Sequence, residues 1–200
     1  MNETVFMRTI SLLSLLFALL LSACSSGDAE APPLQGASVG GPFTLTDENG
    51  ARVSDADFKG KYRLVYFGYS YCPDICPVDL QLIGRGLRQL EKSDPELAAK
   101  VQPIFVTVDP ERDTPAILKQ YVGAFHPRLI GLTGTPAEIA DVAKRHGVYF
   151  AKQGEEGAKD YLMDHSRIAL LFGPEGEPIA IVPHDKGADA VAAELRRWVE

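Results

Sequence analysis

Cysteine is scarce in this chain. Three in 200 residues are too few to staple a small fold, and the odd count leaves one that needs a separate account. Basic charge is short as well: 20 Lys and Arg stand against 27 Asp and Glu, for a net charge of −7. Without a basic run the chain lacks the electrostatic footprint of a nucleic-acid binder. Charged residues of both signs make up only 24% and hydrophobic residues 46%, a balance that excludes a disordered chain and calls for a core. Long apolar runs are also missing. The longest, residues 10–21 (I-S-L-L-S-L-L-F-A-L-L-L), falls short of the roughly 20 residues a membrane-spanning helix takes.

That run, with Arg8 as its positive flank, reads as the apolar centre of a secretory signal peptide. Leu21-Ser22-Ala23-Cys24 follows it, an apolar residue, two small ones and a cysteine, which resembles a bacterial lipobox. On this reading residues 1–23 are a lipoprotein signal peptide and Cys24 carries the lipid; an ordinary secretory peptide with a cysteine after its cleavage site is the alternative. Residues 25–41 (S-S-G-D-A-E-A-P-P-L-Q-G-A-S-V-G-G) are small, polar and rich in Pro and Gly, so residues 24–41 are expected to form a lipidated flexible tether. Fully extended, its 17 residues after Cys24 would reach roughly 60 Å. The expected location is the bacterial cell envelope, with the domain on the periplasmic side. Only the lipid would hold it to a membrane, because an acidic surface has no attraction for anionic headgroups.

Residues 42–200 contain no repeat and no second linker, and read as one domain. Leu64–Gly68, Ile104–Val108, Ile168–Phe172 and Ile179–Val182 are short apolar runs bounded by Gly, Pro or charge, the signature of strands covered on both faces. Asn49-Gly50, between alternating segments over residues 43–53, predicts an N-terminal β-hairpin. Cys76, Leu80, Ile83, Leu87 and Leu90 line one face of a helix that starts near Pro77 and ends by Ser93. Thr114-Pro115 and Thr135-Pro136 open two more helices, the second stopping at Gly147, and Val191, Leu195 and Trp198 mark a last one. The resulting order predicts a parallel βαβ unit, an inserted helix, an antiparallel hairpin and a closing helix. That is an α/β, thioredoxin-like fold with an N-terminal β-hairpin and an insertion before the third core strand. A flavodoxin-like sheet also alternates strands and helices, but the short Gly173–Pro178 connection argues for a hairpin there.

With Cys24 assigned to lipid, Cys72 and Cys76 remain, in G-Y-S-Y-C-P-D-I-C-P directly after the first core strand. The opening of a helix presents unpaired N–H groups and a positive dipole end, which favour thiolate over thiol. Three chemistries suit such a pair: disulfide exchange, a peroxidatic thiolate with a resolving partner, and metal binding with further ligands from a distance. Four histidines could supply one. His146 continues an apolar helix face and reads as structural, while His126 lies in a loop and His184 in the turn before the last helix. His165 leads into the third core strand, which in a thioredoxin-like sheet lies beside the loop that carries the cysteines.

Three stretches, Gly68–Pro77, Val108-Asp109-Pro110-Glu111-Arg112-Asp113-Thr114 and Asp164-His165-Ser166 with Gly173-Pro174-Glu175-Gly176 beyond it, resemble the Sco/SenC family of copper chaperones. Order and spacing agree over roughly residues 40–199. The resemblance implies that Cys72, Cys76 and His165 bind copper, and two thiolates with an imidazole suit Cu(I) while also being able to hold Cu(II). It gives Asp109 a role in tuning the site from behind the ligands, and Asp164 is expected to orient His165 through its second ring nitrogen. The implied function is a membrane-tethered chaperone that delivers copper to, or prepares, the dinuclear copper site of cytochrome c oxidase. Its partners would be the oxidase's copper-bearing subunit and other copper-handling proteins, with no nucleic acid. A thiol–disulfide oxidoreductase that acts on the oxidase cysteines, or in redox signalling, without carrying copper is the alternative; a thiol peroxidase fits the histidine less well.

Overall fold

Each core strand must bury both of its faces, and the computed structural model, which describes residues 30–154 and 160–200, shows how. Nine strands and five α-helices lie among the described residues. They are β1 (Thr44–Asp47), β2 (Arg52–Ser54), β3 (Tyr62–Gly68), α1 (Ile75–Ser93), α2 (Pro95–Lys100), β4 (Val101–Thr107) and α3 (Pro115–Gly123), then β5 (Ile130–Thr133), α4 (Pro136–Arg145), β6 (Phe150–Gln153), β7 (Leu162–His165), β8 (Ala169–Phe172), β9 (Pro178–Val182) and α5 (Ala188–Trp198). The signal segment, the lipobox with Cys24, and most of the 152–160 loop lie outside the described residues.

Seven strands form one sheet in the order β2-β1-β5-β4-β3-β8-β9. β3, β4 and β5 run parallel, whereas β8 and β9 run antiparallel to their neighbours. This is the expected thioredoxin-like arrangement, with the β1–β2 hairpin as its N-terminal addition. Alternation along β3 explains its unbroken hydrophobicity. Leu64 and Tyr66 enter a core shared with Leu80 and Leu87 of α1, Leu118 of α3 and Leu195 of α5. Val65 and Phe67 enter a second core, on the α4 side, with Ile139, Val142 and Phe172. The inserted β6–β7 pair forms a separate two-stranded sheet. Helix starts follow their local chemistry. Thr135 accepts from Glu138 N (3.2 Å) while Glu138 Oε2 accepts from Thr135 N (2.7 Å), a reciprocal cap that satisfies two otherwise unpaired donors.

Three features depart from the expectation. β5 is a strand of only four residues interrupted by Gly131, too brief and too weakly patterned to register as a strand. β6 and β7 carry half-exposed faces, so the inserted segment lacks the alternation that marks a strand. The composition of residues 32–41 also misleads. Leu34 N donates to Ile179 O (2.9 Å) and Gly40 N to Arg145 O (2.8 Å), while Leu34 and Val39 pack on the second core. A Cβ on Gly40 would sit 2.5 Å from the Phe172 ring, so this glycine provides close approach instead of flexibility. The compact unit therefore begins at Pro32, not at residue 42.

Close approach also decides Gly86 in α1. A Cβ there would lie 2.6 Å from the Val191 side chain and 2.8 Å from the Ala188 carbonyl, so the glycine sets how near α5 can come. Alanine would add about 1 kcal/mol of helix propensity, but overpacking against a backbone carbonyl costs about 2–3 kcal/mol. Gly86→Ala is expected to lower the urea unfolding midpoint with an unchanged m-value; a midpoint equal to or above wild type would contradict this packing.

Candidate metal centre

The site forms where β3 ends. The strand runs out at Gly68, the chain turns with Cys72 N donating to Tyr69 O (3.3 Å), and α1 begins at Ile75. Cys76 is the second helical residue, so its N–H has no intrahelical acceptor. It donates to Cys72 Sγ at 3.3 Å, while the Asp74 side chain at the preceding cap position makes no capping bond. The sulfur of Cys72 thus fills the capping role. Cys72 is half-buried and Cys76 fully buried, deeper than a loop-to-helix junction between two prolines suggests. Both are free thiols.

His165, at the end of β7, closes the group. Its Nε2 lies 3.2 Å from Cys76 Sγ, and the two sulfurs and the imidazole nitrogen all fall within 4.8 Å of one another. It is the one cluster of this kind among the described residues. The other ring nitrogen, Nδ1, faces the Ser166 carbonyl at 3.0 Å. Because a carbonyl can only accept, Nδ1 is the nitrogen that donates there, which leaves Nε2 as the nitrogen that faces the sulfurs. The Tyr69 ring meets the imidazole edge-on at 5.9 Å. Ser166 is pinned in turn to Tyr149, exchanging bonds of 2.8 and 2.9 Å.

The electrostatics divide the two thiols. A hydrogen bond from Cys76, supported by His165 and the Cys76 and Asp74 backbone N–H groups, pulls Cys72 down to about 3 against the opposing effect of burial. The same hydrogen bond, together with burial, pushes Cys76 up. One sulfur is therefore a ready thiolate, and the other keeps its proton until something replaces it. Two sulfur donors and an imidazole nitrogen suit a soft metal ion, and the fold brings the three together.

The acidic residues take different places from those expected. Asp164 does not orient His165: neighbours on a strand point to opposite faces, and Asp164 Oδ2 accepts from Gln153 Nε2 (2.7 Å) on the outer side. Asp109 is buried, accepting from Tyr161 OH (2.7 Å) and Arg112 Nε (2.5 Å). Its connection to the cysteine loop runs through Arg112, whose guanidinium lies 3.6 Å from the Tyr161 ring centre and 4.8 Å from that of Tyr71. Two further acids carry more of the architecture. Asp113, fully buried, accepts from Ser70 N (3.0 Å) and Thr107 Oγ1 (2.6 Å) and from the Ser70 hydroxyl, tying the cysteine loop to the end of β4; burial raises its pKa against these bonds. Asp79, also fully buried, lies one helical turn beyond Cys76. Its sequence signal is an acid on the apolar face that runs from Cys76 to Leu90, where an unpaired carboxylate could not stay ionised. The remaining histidines, His126, His146 and His184, are buried apart from this cluster.

The separation of the two thiols sets a reactivity pattern in the reduced, metal-free protein. Alkylation of Cys72 by iodoacetamide should stay nearly flat between pH 6 and 9, where an ordinary thiol of pKa about 8.5 gains close to tenfold per unit. Cys76 should resist until the fold opens. A Cys72 rate that climbs tenfold per unit up to pH 8, read by mass spectrometry of the labelled peptide, would contradict the thiolate assignment.

Sequence and structure comparisons agree with this geometry. The SCO1/SenC family profile matches residues 31–200. The mitochondrial protein SCO2 of Saccharomyces cerevisiae is 43% identical over 163 residues, 81% of this chain and 53% of its own length; the chain spans about half the length of the curated relatives it matches. The structure of Bradyrhizobium japonicum ScoI with copper bound superposes with a TM-score of 0.72 and 44% identity over 80% of this chain and 99% of that one. Yeast Sco1 with copper bound gives 0.74 and 37% over 81% and 88%. A free cysteine pair at a helix start, a histidine brought to it from 89 residues downstream, and a family match across the whole compact unit lead to one conclusion: this chain belongs to the SCO1/SenC family.

Proposed function

We propose that the protein is a membrane-tethered copper carrier of the bacterial cell envelope, which delivers copper to, or prepares, the dinuclear copper site of a cytochrome c oxidase. The observation that carries this reading is the trio of Cys72, Cys76 and His165, with donor atoms within 4.8 Å of one another. Two solved relatives of 37–44% identity hold copper, and the donor set suits Cu(I) by its softness. Cys72, half-buried and ionised, and the half-buried His165 are the donors an incoming partner reaches first; Cys76 retains the ion from behind. Loading then displaces one proton, that of Cys76, from the reduced site. Delivery is favoured by a carrier whose outermost ligand can be exchanged, and oxidation of both thiols to a disulfide would remove both sulfur donors.

The free pair and the ionised Cys72 also support a second reading, as a thiol–disulfide oxidoreductase. In that reaction Cys72 attacks a target disulfide, Cys76 resolves the mixed disulfide, and the target leaves as two thiols while the pair becomes one disulfide. The histidine separates the readings, since exchange needs two sulfurs and copper retention uses the imidazole as well.

Anaerobic titration of reduced residues 25–200 with Cu(I), against a chelator of known affinity, should give about one tightly held ion per chain. Cys72→Ser should abolish tight binding, and His165→Ala should weaken it by roughly 100-fold, the upper end of what even an outer-shell loss produces. If wild type and His165→Ala bind equally weakly while disulfide exchange persists, the carrier reading fails in favour of the oxidoreductase. The tether makes a separate prediction. Cys24→Ser should move the protein from the membrane to the soluble fraction and leave the Cu(I) titration unchanged. Retention of that variant in the membrane fraction would remove the lipid anchor from the account.

A further inference from the structure

The two arms of the site come from elements that no backbone ladder joins. Cys76 rides on α1, whereas His165 ends β7, whose ladder partner among the described residues is β6, outside the seven-stranded sheet. The β3–β8 pairing brings the two segments together only up to Ala169, so the 3.2 Å contact between them also needs side chains to set it. Arg167, two residues past His165, reaches back across 88 positions to Asp79, one turn along α1 from Cys76. Its Nε donates to Asp79 Oδ2 at 2.6 Å, and its Nη2 makes a second short bond to Oδ1. The carboxylate is fixed from behind as well: Tyr66 OH of β3 donates to Oδ2 at 2.8 Å, and His184 Nε2, ahead of α5, lies 3.2 Å away.

We infer that the Asp79–Arg167 pair is a positioning brace, which sets the His165 imidazole against Cys76 and so fixes the geometry of the metal site. A planar guanidinium on a carboxylate constrains both distance and angle, which a single-point contact does not. Asp79 has no solvent exposure and Arg167 retains 41%. An ion pair with one buried partner contributes little net stability, because desolvation offsets the attraction; its distinctive effect is geometric. The two flanks of His165 then have separate anchors. Ser166 ties it to the β6–β7 insertion through Tyr149, and Arg167 ties that insertion to the helix carrying Cys76. Arg167 is a positioning residue, whose hydrogen bonds go to Asp79 and not to a sulfur or the imidazole.

This inference rests on the metal-site reading, so its test includes a measurement without metal. The full chain is used with Cys24→Ser in every variant, leaving Cys72 and Cys76 as its thiols. Arg167→Met, Arg167→Lys and His165→Ala are compared with that background. In the reduced, metal-free Arg167→Met protein the ¹⁵N imidazole resonance of His165 should move away from its background position. With Cu(II) added, the thiolate-to-metal absorption band should shift toward that of His165→Ala, and Cu(I) affinity should fall about 10–100-fold, all with an unchanged far-ultraviolet circular dichroism spectrum. Arg167→Lys keeps the charge but loses the fork, and should fall between. A folded Arg167→Met with the background imidazole resonance and copper band overturns the brace. Should Arg167→Met not fold, Arg167→Lys decides, and background signals in that variant overturn it equally. If the background chain binds no copper the metal-site reading fails, and the imidazole resonance still decides the brace.

Discussion

A helix that opens directly after a buried strand leaves its first N–H groups without partners, and this site depends on where those donors point. Here the Cys76 N–H points at the sulfur of Cys72. That bond performs three tasks. It closes the N-terminus of α1 where Asp74 makes no cap, folds the Tyr69–Asp74 loop back over the helix, and favours the ionised form of Cys72. A charged cap of this kind is worth more than a neutral one because the helix dipole adds to the hydrogen bond. The second cysteine is then buried under the first, within reach of an imidazole.

Everything around this core resists its relaxation. Three acids, Asp79, Asp109 and Asp113, lie almost completely buried near the site, and each is satisfied by a different pair of segments. Asp113 receives the loop through Ser70 and the strand through Thr107. Asp109 receives the insertion through Tyr161 and its own loop through Arg112. Asp79 receives β3 through Tyr66 and the His165 segment through Arg167. Although burial opposes it, the bonds from Arg167, His184 and Tyr66 hold the Asp79 carboxyl well below the usual carboxylate range. Buried carboxylates are costly when unpaired, so each of the three needs the partners that hold it.

How much of this was legible in the sequence differs by residue. The cysteine pair was plain, because a strand, a C-x-x-x-C spacing and a proline-marked helix start occur within fifteen positions. His165 was legible through topology, since a residue entering β8 must pass the loop after β3 to which that strand is paired. The acids were not. Asp164 sits beside the histidine in sequence yet faces away, because alternation along β7 turns it outward. Asp79 is distant from His165 in sequence and yet joined to its segment, and only the pairing of α1 with the chain beyond β7 shows this. The weakest strands, β5, β6 and β7, were missed because tertiary neighbours stabilise them, not their own pattern. Gly40 resembled part of a linker but serves as a point of close packing.

Taken together, the thiolate cap, the buried second thiol and the braced imidazole form a three-donor pocket for one ion. The most direct test of that claim is X-ray absorption at the copper edge of the reduced, Cu(I)-loaded protein, which counts the neighbours of the ion. The account requires two sulfur neighbours and one nitrogen per copper, from Cys72, Cys76 and His165, with the nitrogen lost in His165→Ala. A sulfur-only shell in wild type, or a single sulfur per copper, would contradict it.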